Sequence, residues 1–238
     1  MRCAGQVLVL QSKGKHMRTL LIAALIIALP SLGMAQQITE ARFSDPTDRY
    51  DHAILGDALE WGALELRVSD GTLFRLTLPK DRVFEDLAPR LVTLPNGQTL
   101  VAVIETQTDL GARLSLYDQT GLVAATPHIG RTHRWLAPIG AADLDGDGEL
   151  EFAYVDRPHL AKTIRIWRLS GNRLTPAGDL PGFTNHRIGE NTIAGGIRDC
   201  GIGPEMIVAD ANWRSVQAIT WDGSGFSTRE LGPHEGRA

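Results

Sequence analysis

Asp143-Leu144-Asp145-Gly146-Asp147-Gly148-Glu149-Leu150-Glu151 carries acids at relative positions 1, 3, 5 and 9 and a glycine at position 6. A loop so built can turn four carboxylates and a backbone carbonyl onto one hard cation. Ca²⁺ takes roughly six to eight oxygens at about 2.3–2.6 Å, and the glycine permits the sharp turn that gathers them. An EF-hand would also need a bidentate Glu at position 12, where this chain has Tyr154. The loop runs instead into the apolar, β-prone Phe152-Ala153-Tyr154-Val155, so it is expected to join two strands. The alternative is a solvated acidic turn with no ion. Other chemistry leaves few marks: G-x-S-x-G, H-E-x-x-H, the P-loop pattern and C-x-x-C are all absent.

The elements that would position such a loop recur. Four turn dipeptides, Asp70-Gly71, Thr120-Gly121, Ser170-Gly171 and Ser224-Gly225, place glycines 50, 50 and 54 residues apart. Strand-like segments flank each: Leu64–Val68 with Leu73–Leu78, Arg113–Tyr117 with Leu122–Ala125, Ile164–Trp167 with Arg173–Pro176, and Val216–Trp221 with Phe226–Leu231. These read as hairpins, glycine supplying the positive φ of a tight turn. Upstream of the last three lies an apolar run ending in an acid: Leu100–Ile104 with Glu105, Phe152–Val155 with Asp156, Met206–Ala209 with Asp210. A strand apolar on both faces must be covered on both. A further short segment precedes each run: Ala88–Leu94, Ala137–Ala142 and Thr192–Ile197. Four antiparallel strands in about 50 residues is the size of a propeller blade, and stacked blades account for the doubly buried strand. A β-sandwich with regular strand spacing is the alternative. The expectation is an all-β, β-propeller-like domain of about four four-stranded antiparallel blades, one with a calcium loop. Its first blade is irregular, with strands at Ala53–Leu59 and Ala63–Val68.

With these residues in place, the chain resembles the FG-GAP/VCBS repeat family, the blades of integrin α-subunit propellers and many exported bacterial proteins. The resemblance spans most of Ala53–Leu231 as repeat shape. It implies a Ca²⁺ site at Asp143, Asp145, Asp147, Glu149 (through its carbonyl) and Glu151. The other loops depart from the motif. Asp57 and Glu65 hold positions 1 and 9 of the first but Leu59 and Trp61 interrupt it; only Asn96-Gly97 survives in the second; Asp199, Gly201 and Glu205 stand in the fourth. One calcium site and three vestigial loops are therefore expected, the ion serving structure rather than catalysis.

In a four-stranded blade the connections between blades and the loops between its two middle strands share one face, opposite the calcium loop. That geometry would gather Arg49-Tyr50-Asp51-His52, Arg131-Thr132-His133-Arg134-Trp135, Asp156-Arg157-Pro158-His159 with Lys162, Asn185-His186-Arg187, and Asp210-Ala211-Asn212-Trp213-Arg214. The candidate ligand-binding residues are His133, Arg134, Trp135, Asp156, Arg157, His159, His186, Arg187, Asp210 and Trp213. Such a cluster could bind an anionic small molecule or glycan through Arg and Trp, hold a metal through His, or do acid–base chemistry with an Asp partner. It could equally bridge blades by bonding to carbonyls and acids. The reading is a binding module whose partner is a small anionic molecule, a glycan or a protein. A hydrolase or lyase on an anionic substrate, needing His133 or His186 paired with Asp156 or Asp210, is one alternative. A structural subunit of an envelope assembly is the other.

The N-terminus is expected to direct export to the periplasm or medium. Lys13, Lys15 and Arg18 precede the apolar Leu20–Leu29, Pro30 follows, and Gly33-Met34-Ala35 is a small-x-small cleavage site before Gln36. Met17 is a second possible start, and the run is shorter than the roughly 20 residues a membrane span needs, so no membrane anchor is expected after cleavage. Cleavage removes four of the 24 Lys and Arg and none of the 28 Asp and Glu, leaving 20 against 28, a balance of −8. That balance argues against nucleic acid as a partner. Of the two cysteines Cys3 would leave with the signal. Cys200, then alone, is expected to be buried and inert.

Overall fold

The computed structural model describes residues 36–56 and 59–235. The export segment with Met17 and Cys3, and the motif residue Asp57, lie outside them. Within them every regular element is a strand, and all pairing is antiparallel.

The chain builds three sheets. The first holds β1 (Ile38–Thr47), β2 (Glu60–Val68), β3 (Leu73–Thr77), β4 (Arg82–Phe84), β5 (Arg90–Thr93), β6 (Thr99–Gln107), β7 (Gly111–Asp118) and β8 (Gly121–Ala125), in the order β1-β2-β4-β6-β7-β8 with β3 on β2 and β5 on β6. The second is a meander of β9 (Leu136–Ala142), β10 (Glu151–Asp156), β11 (Thr163–Ser170) and β12 (Arg173–Pro181). The third holds β13 (Phe183–Thr184), β14 (Gly196–Asp199), β15 (Pro204–Asp210), β16 (Ser215–Trp221) and β17 (Phe226–Pro233). None closes into a barrel.

All four expected hairpins form, as β2–β3, β7–β8, β11–β12 and β16–β17. At the first three, Gly71, Gly121 and Gly171 take positive φ. At the fourth the positive φ falls on Gly223 rather than Gly225, because Asp222 Oδ1 accepts from Ser224 N and Gly225 N and folds the turn early. The expected strand at Ala53–Leu59 is not there: 53–56 is a turn. β2 pairs instead with β1, a segment too polar to read as a strand.

The apolar runs behave as their composition requires. Along β6, Leu100, Ala102 and Ile104 enter one core while Val101 and Val103 enter another. Along β10, Phe152 and Tyr154 join the first of these cores, and Ala153 and Val155 join a third with Met206 and Ile219. Successive side chains point to opposite faces, so each central strand feeds two cores and locks two sheets face to face. Burying a side chain such as Phe152, 2% exposed, stabilises by about 1.5–3 kcal/mol.

Two features were not legible in the repeat. First, two inner strands are split. β4 and β5 pair with opposite ends of β6, and β13 and β14 with opposite ends of β15, leaving 85–89 and 185–195 to loop out between the halves. Because β4 also meets β2 through Trp61 and Phe84, the first two repeat units share one sheet. Second, acids on the central strands are clamped by arginines from their neighbours. Glu65 takes Arg42 and Arg75, Glu105 takes Arg82 and Arg113, Asp156 takes Arg157 and Arg165, and Glu205 takes Arg198 and Arg229. Cys200 is exposed, not buried as expected, because it lies in the bend 200–202 after β14, outside any core.

Candidate functional site

Two clusters lie at opposite ends of the β9–β10 pair. The acidic loop joins the end of β9 to the start of β10. Among the described residues, Asp143, Asp145 and Glu151 form the one group of three ligating side chains whose donor atoms lie within 4.8 Å of one another. The loop is wound by its own carboxylates: Asp143 accepts from Gly146 N at 2.8 Å and Gly148 N at 3.0 Å, and Asp147 from Glu149 N at 2.9 Å. Glu151, fully buried, accepts from Leu144 N at 2.9 Å. Asp147 and Glu149 are exposed and do not join the group.

One cation already faces this loop. Arg168, paired with Glu151 across β10 and β11, donates to Glu151 Oε1 at 2.7 Å, lies 3.0 Å from Asp147 Oδ2 and also bonds Asp145. These bonds, Glu151's first, hold its guanidinium still more firmly protonated. Burial pushes the Glu151 carboxyl up, against Leu144 N–H and Arg168. One guanidinium leaves four carboxylates three charges short of neutral, and hard carboxylate oxygens suit Ca²⁺. The donor set therefore fits the cation that the motif implies.

The other end of the same strands carries a cavity of about 220 Å³, lined among others by His52, His133, Arg134, Trp135, Arg157 and His159. These residues arrive from the turn after β1, the entry to β9 and the exit from β10. Among the described residues, three of the six non-glycine residues with positive φ lie in or beside this lining: Ala53, His133 and Arg157. Such conformations cost of order 1–3 kcal/mol each and cluster at functional sites.

Behind the cavity lies Glu85, in the loop that splits β4 from β5. It is 0% exposed, with His52 Nδ1 at 2.5 Å and Thr106 Oγ1 donating at 2.5 Å. Burial pushes its carboxyl up; the bonds from His52 and Thr106 act the other way. The Trp135 indole donates to the Glu85 carbonyl at 2.8 Å, fixing the cavity wall to this loop. His133 Nε2 meets Asp51 at 2.8 Å, and its ring stacks on Tyr50, whose hydroxyl accepts from His133 N at 2.8 Å. Burial first, then the charge of Glu85, pushes the Tyr50 hydroxyl up to about 12. His159 Nε2 lies 3.1 Å from Nδ1 of the buried His186, whose Nε2 donates to the Glu190 carbonyl at 2.8 Å. Burial holds His186 below the ordinary imidazole range and pushes His159 down to about 4.

The structure thus joins His133, Arg134, Trp135, Arg157 and His159 around one cavity, with His186 touching through His159. Asp156 stands behind, forking Arg157 at 2.8 Å through both oxygens. Arg187, Asp210 and Trp213 lie elsewhere. Trp213 packs 4.2 Å from the Arg187 guanidinium, and Asp210 accepts from Arg214 N and Ser215 N at the turn after β15. Neither His133 nor His186 is bonded to Asp156 or Asp210; their rings meet Asp51, Thr132, His159 and Glu190. Sequence reasoning missed Glu85 and the pairing of His52 with it, since Phe84-Glu85-Asp86 carries no local signal. A larger cavity of about 420 Å³ between β5, β9 and β14 is lined by apolar residues, with Arg90 its one charged group. Arg90 is already bound to Asp86.

No family model matches the chain, and no curated protein matches it.

Proposed function

We propose that this chain is an exported, propeller-like protein of the FG-GAP/VCBS type, built to bind a small anionic ligand in the His52–His159 cavity. Each face-to-face sheet would correspond to a blade, the first sheet supplying two blades bridged by β4. Asp143, Asp145 and Glu151 would hold Ca²⁺, with Asp147 and the Glu149 carbonyl completing the set that the resemblance implies. The ion would supply charge neutralisation and nothing to the cavity at the other end of the strands.

The observation that carries the binding reading is the convergence of three chain segments on one cavity, with two arginines, Arg134 and Arg157, among its lining residues. Arginine forks match carboxylate and phosphate oxygens. The test is a thermal-shift screen of anions (acetate, phosphate, citrate, glucuronate and sulfated sugars) on wild type and Arg134→Met. Stabilisation by one of these that disappears in the variant supports the reading. No stabilisation by any of them, or stabilisation that survives in the variant, sinks it.

A further inference from the structure

Hydrogen-bond bookkeeping at the cavity narrows the ligand class. The Glu190 carbonyl can only accept, so His186 Nε2 carries a proton and its Nδ1 a lone pair. That lone pair must take its hydrogen from His159 Nε2. His159 is left with a lone pair on Nδ1. The buried Glu85 carboxylate takes the Nδ1 hydrogen of His52, leaving His52 Nε2 as the second lone pair. His133 is different: Asp51 takes its Nε2, and its Nδ1 lies 3.3 Å from Thr132 Oγ1, which can donate to it.

The wall therefore combines Arg134, and the Nη1 side of Arg157 that its fork to Asp156 leaves free, with two ring-nitrogen acceptors, on His52 and His159. Leu160 and Ile188, 65% and 70% exposed, form an apolar lip. Acetate meets the guanidinium groups and offers neither acceptor a hydrogen, and hydrogen phosphate offers one hydroxyl for the two. A neutral sugar satisfies the acceptors and wastes the guanidinium groups. At about 220 Å³ the cavity is smaller than the roughly 300 Å³ at which pockets for drug-sized molecules begin. We infer that this cavity selects a hydroxy acid of monosaccharide size, its carboxylate on Arg134 and on the free Nη1 side of Arg157 and its hydroxyls donating to His52 and His159. Glu85 and His186 are positioning residues that fix which ring nitrogen accepts. The inference rests on the binding function proposed above.

The experiment is calorimetric titration of the full chain with glucuronate, galacturonate and gluconate, against acetate, phosphate and glucose, at pH 8. At least one hydroxy acid should bind tenfold or more tightly than acetate, phosphate or glucose. His52→Phe and His159→Phe should each cost tenfold or more for the hydroxy acid and much less for acetate, with thermal unfolding reporting that each variant folds. If one variant does not fold, the other decides. Acetate or phosphate binding as well as the best hydroxy acid overturns the inference and leaves the anion-binding function standing, whereas glucose binding as well as the best hydroxy acid overturns both. No binding by any of the six overturns both.

Discussion

Replacing Glu105 tests whether the arginine clamps hold the sheets in place. Glu105 is fully buried on β6. Its carboxylate receives Arg82 at 2.7 Å, Arg113 at 2.9 and 3.0 Å, Ser115 Oγ at 2.7 Å and the Tyr117 hydroxyl at 2.9 Å. Glu105→Ala would strand two guanidinium groups around an apolar gap. Breaking a buried charge pair by removing one partner costs about 3–5 kcal/mol. For a chain of this size that lowers the melting temperature by roughly 6–20 °C. Glu105→Gln keeps the volume and one acceptor and should cost less. The sign with pH follows from the same contacts. Burial works to raise the Glu105 carboxyl, but Arg113, Ser115 and Tyr117 together hold it below the ordinary value. A carboxylate whose folded pKa is depressed contributes stability that is present above the unfolded value, near 4.3, and lost as pH falls through the folded value. Urea unfolding at pH 7 and pH 3.5 measures both. The wild type should lose more stability on acidification than Glu105→Gln does. A cost for the alanine variant below about 1 kcal/mol, with an unchanged m-value, would refute the reasoning, as would identical pH profiles for wild type and Glu105→Gln.

Three further perturbations follow. Chelation by EDTA should lower the melting temperature and added Ca²⁺ restore it, free ion at about 100 times its Kd contributing about 2.7 kcal/mol; Asp145→Ala should be insensitive to both, and an equal response in the variant would remove the ion from that loop. Gly111→Ala should destabilise and disturb the cavity together, since Gly111 has φ 75° and an added Cβ would meet the Arg131 carbonyl oxygen at 2.3 Å and that of Arg134 at 2.9 Å; a variant with wild-type stability would contradict this. Phe152→Ala, at the junction of the β6 and β10 faces, should cost about 3–5 kcal/mol in chemical denaturation.

What the sequence made legible followed from local rules. Turn glycines at a fixed spacing located the four hairpins, and runs such as Phe152–Val155 announced strands buried on both faces. The acids of the 143–151 loop could be read because their spacing is itself the geometry. Other features depended on partners far along the chain. Ile38–Thr47 is a strand because β2 offers it a ladder, though its burial alternates poorly and it contains Pro46. The two-residue β13 exists only because the end of β15 needs a partner. Arg187 and Trp213 sat in the expected connections yet paired with each other, since side-chain direction is set by register. Glu85 becomes meaningful only when β4 sets it against His52, 33 residues upstream.

The divided inner strands separate what the protein must keep from what it can change. The ladders to β6 and β15 are completed on both sides of each interruption, so 85–89 and 185–195 can lengthen, shorten or change residue without shifting the register of the sheets. Those same interruptions carry Glu85, His186 and Ile188, and the second reaches the turn after β1, where Gly189 N donates to the Ile54 carbonyl at 3.0 Å. A chain organised this way can acquire a new specificity by insertion and deletion alone. Among its descendants, variation in length should therefore gather at these two points while the strands on either side stay constant.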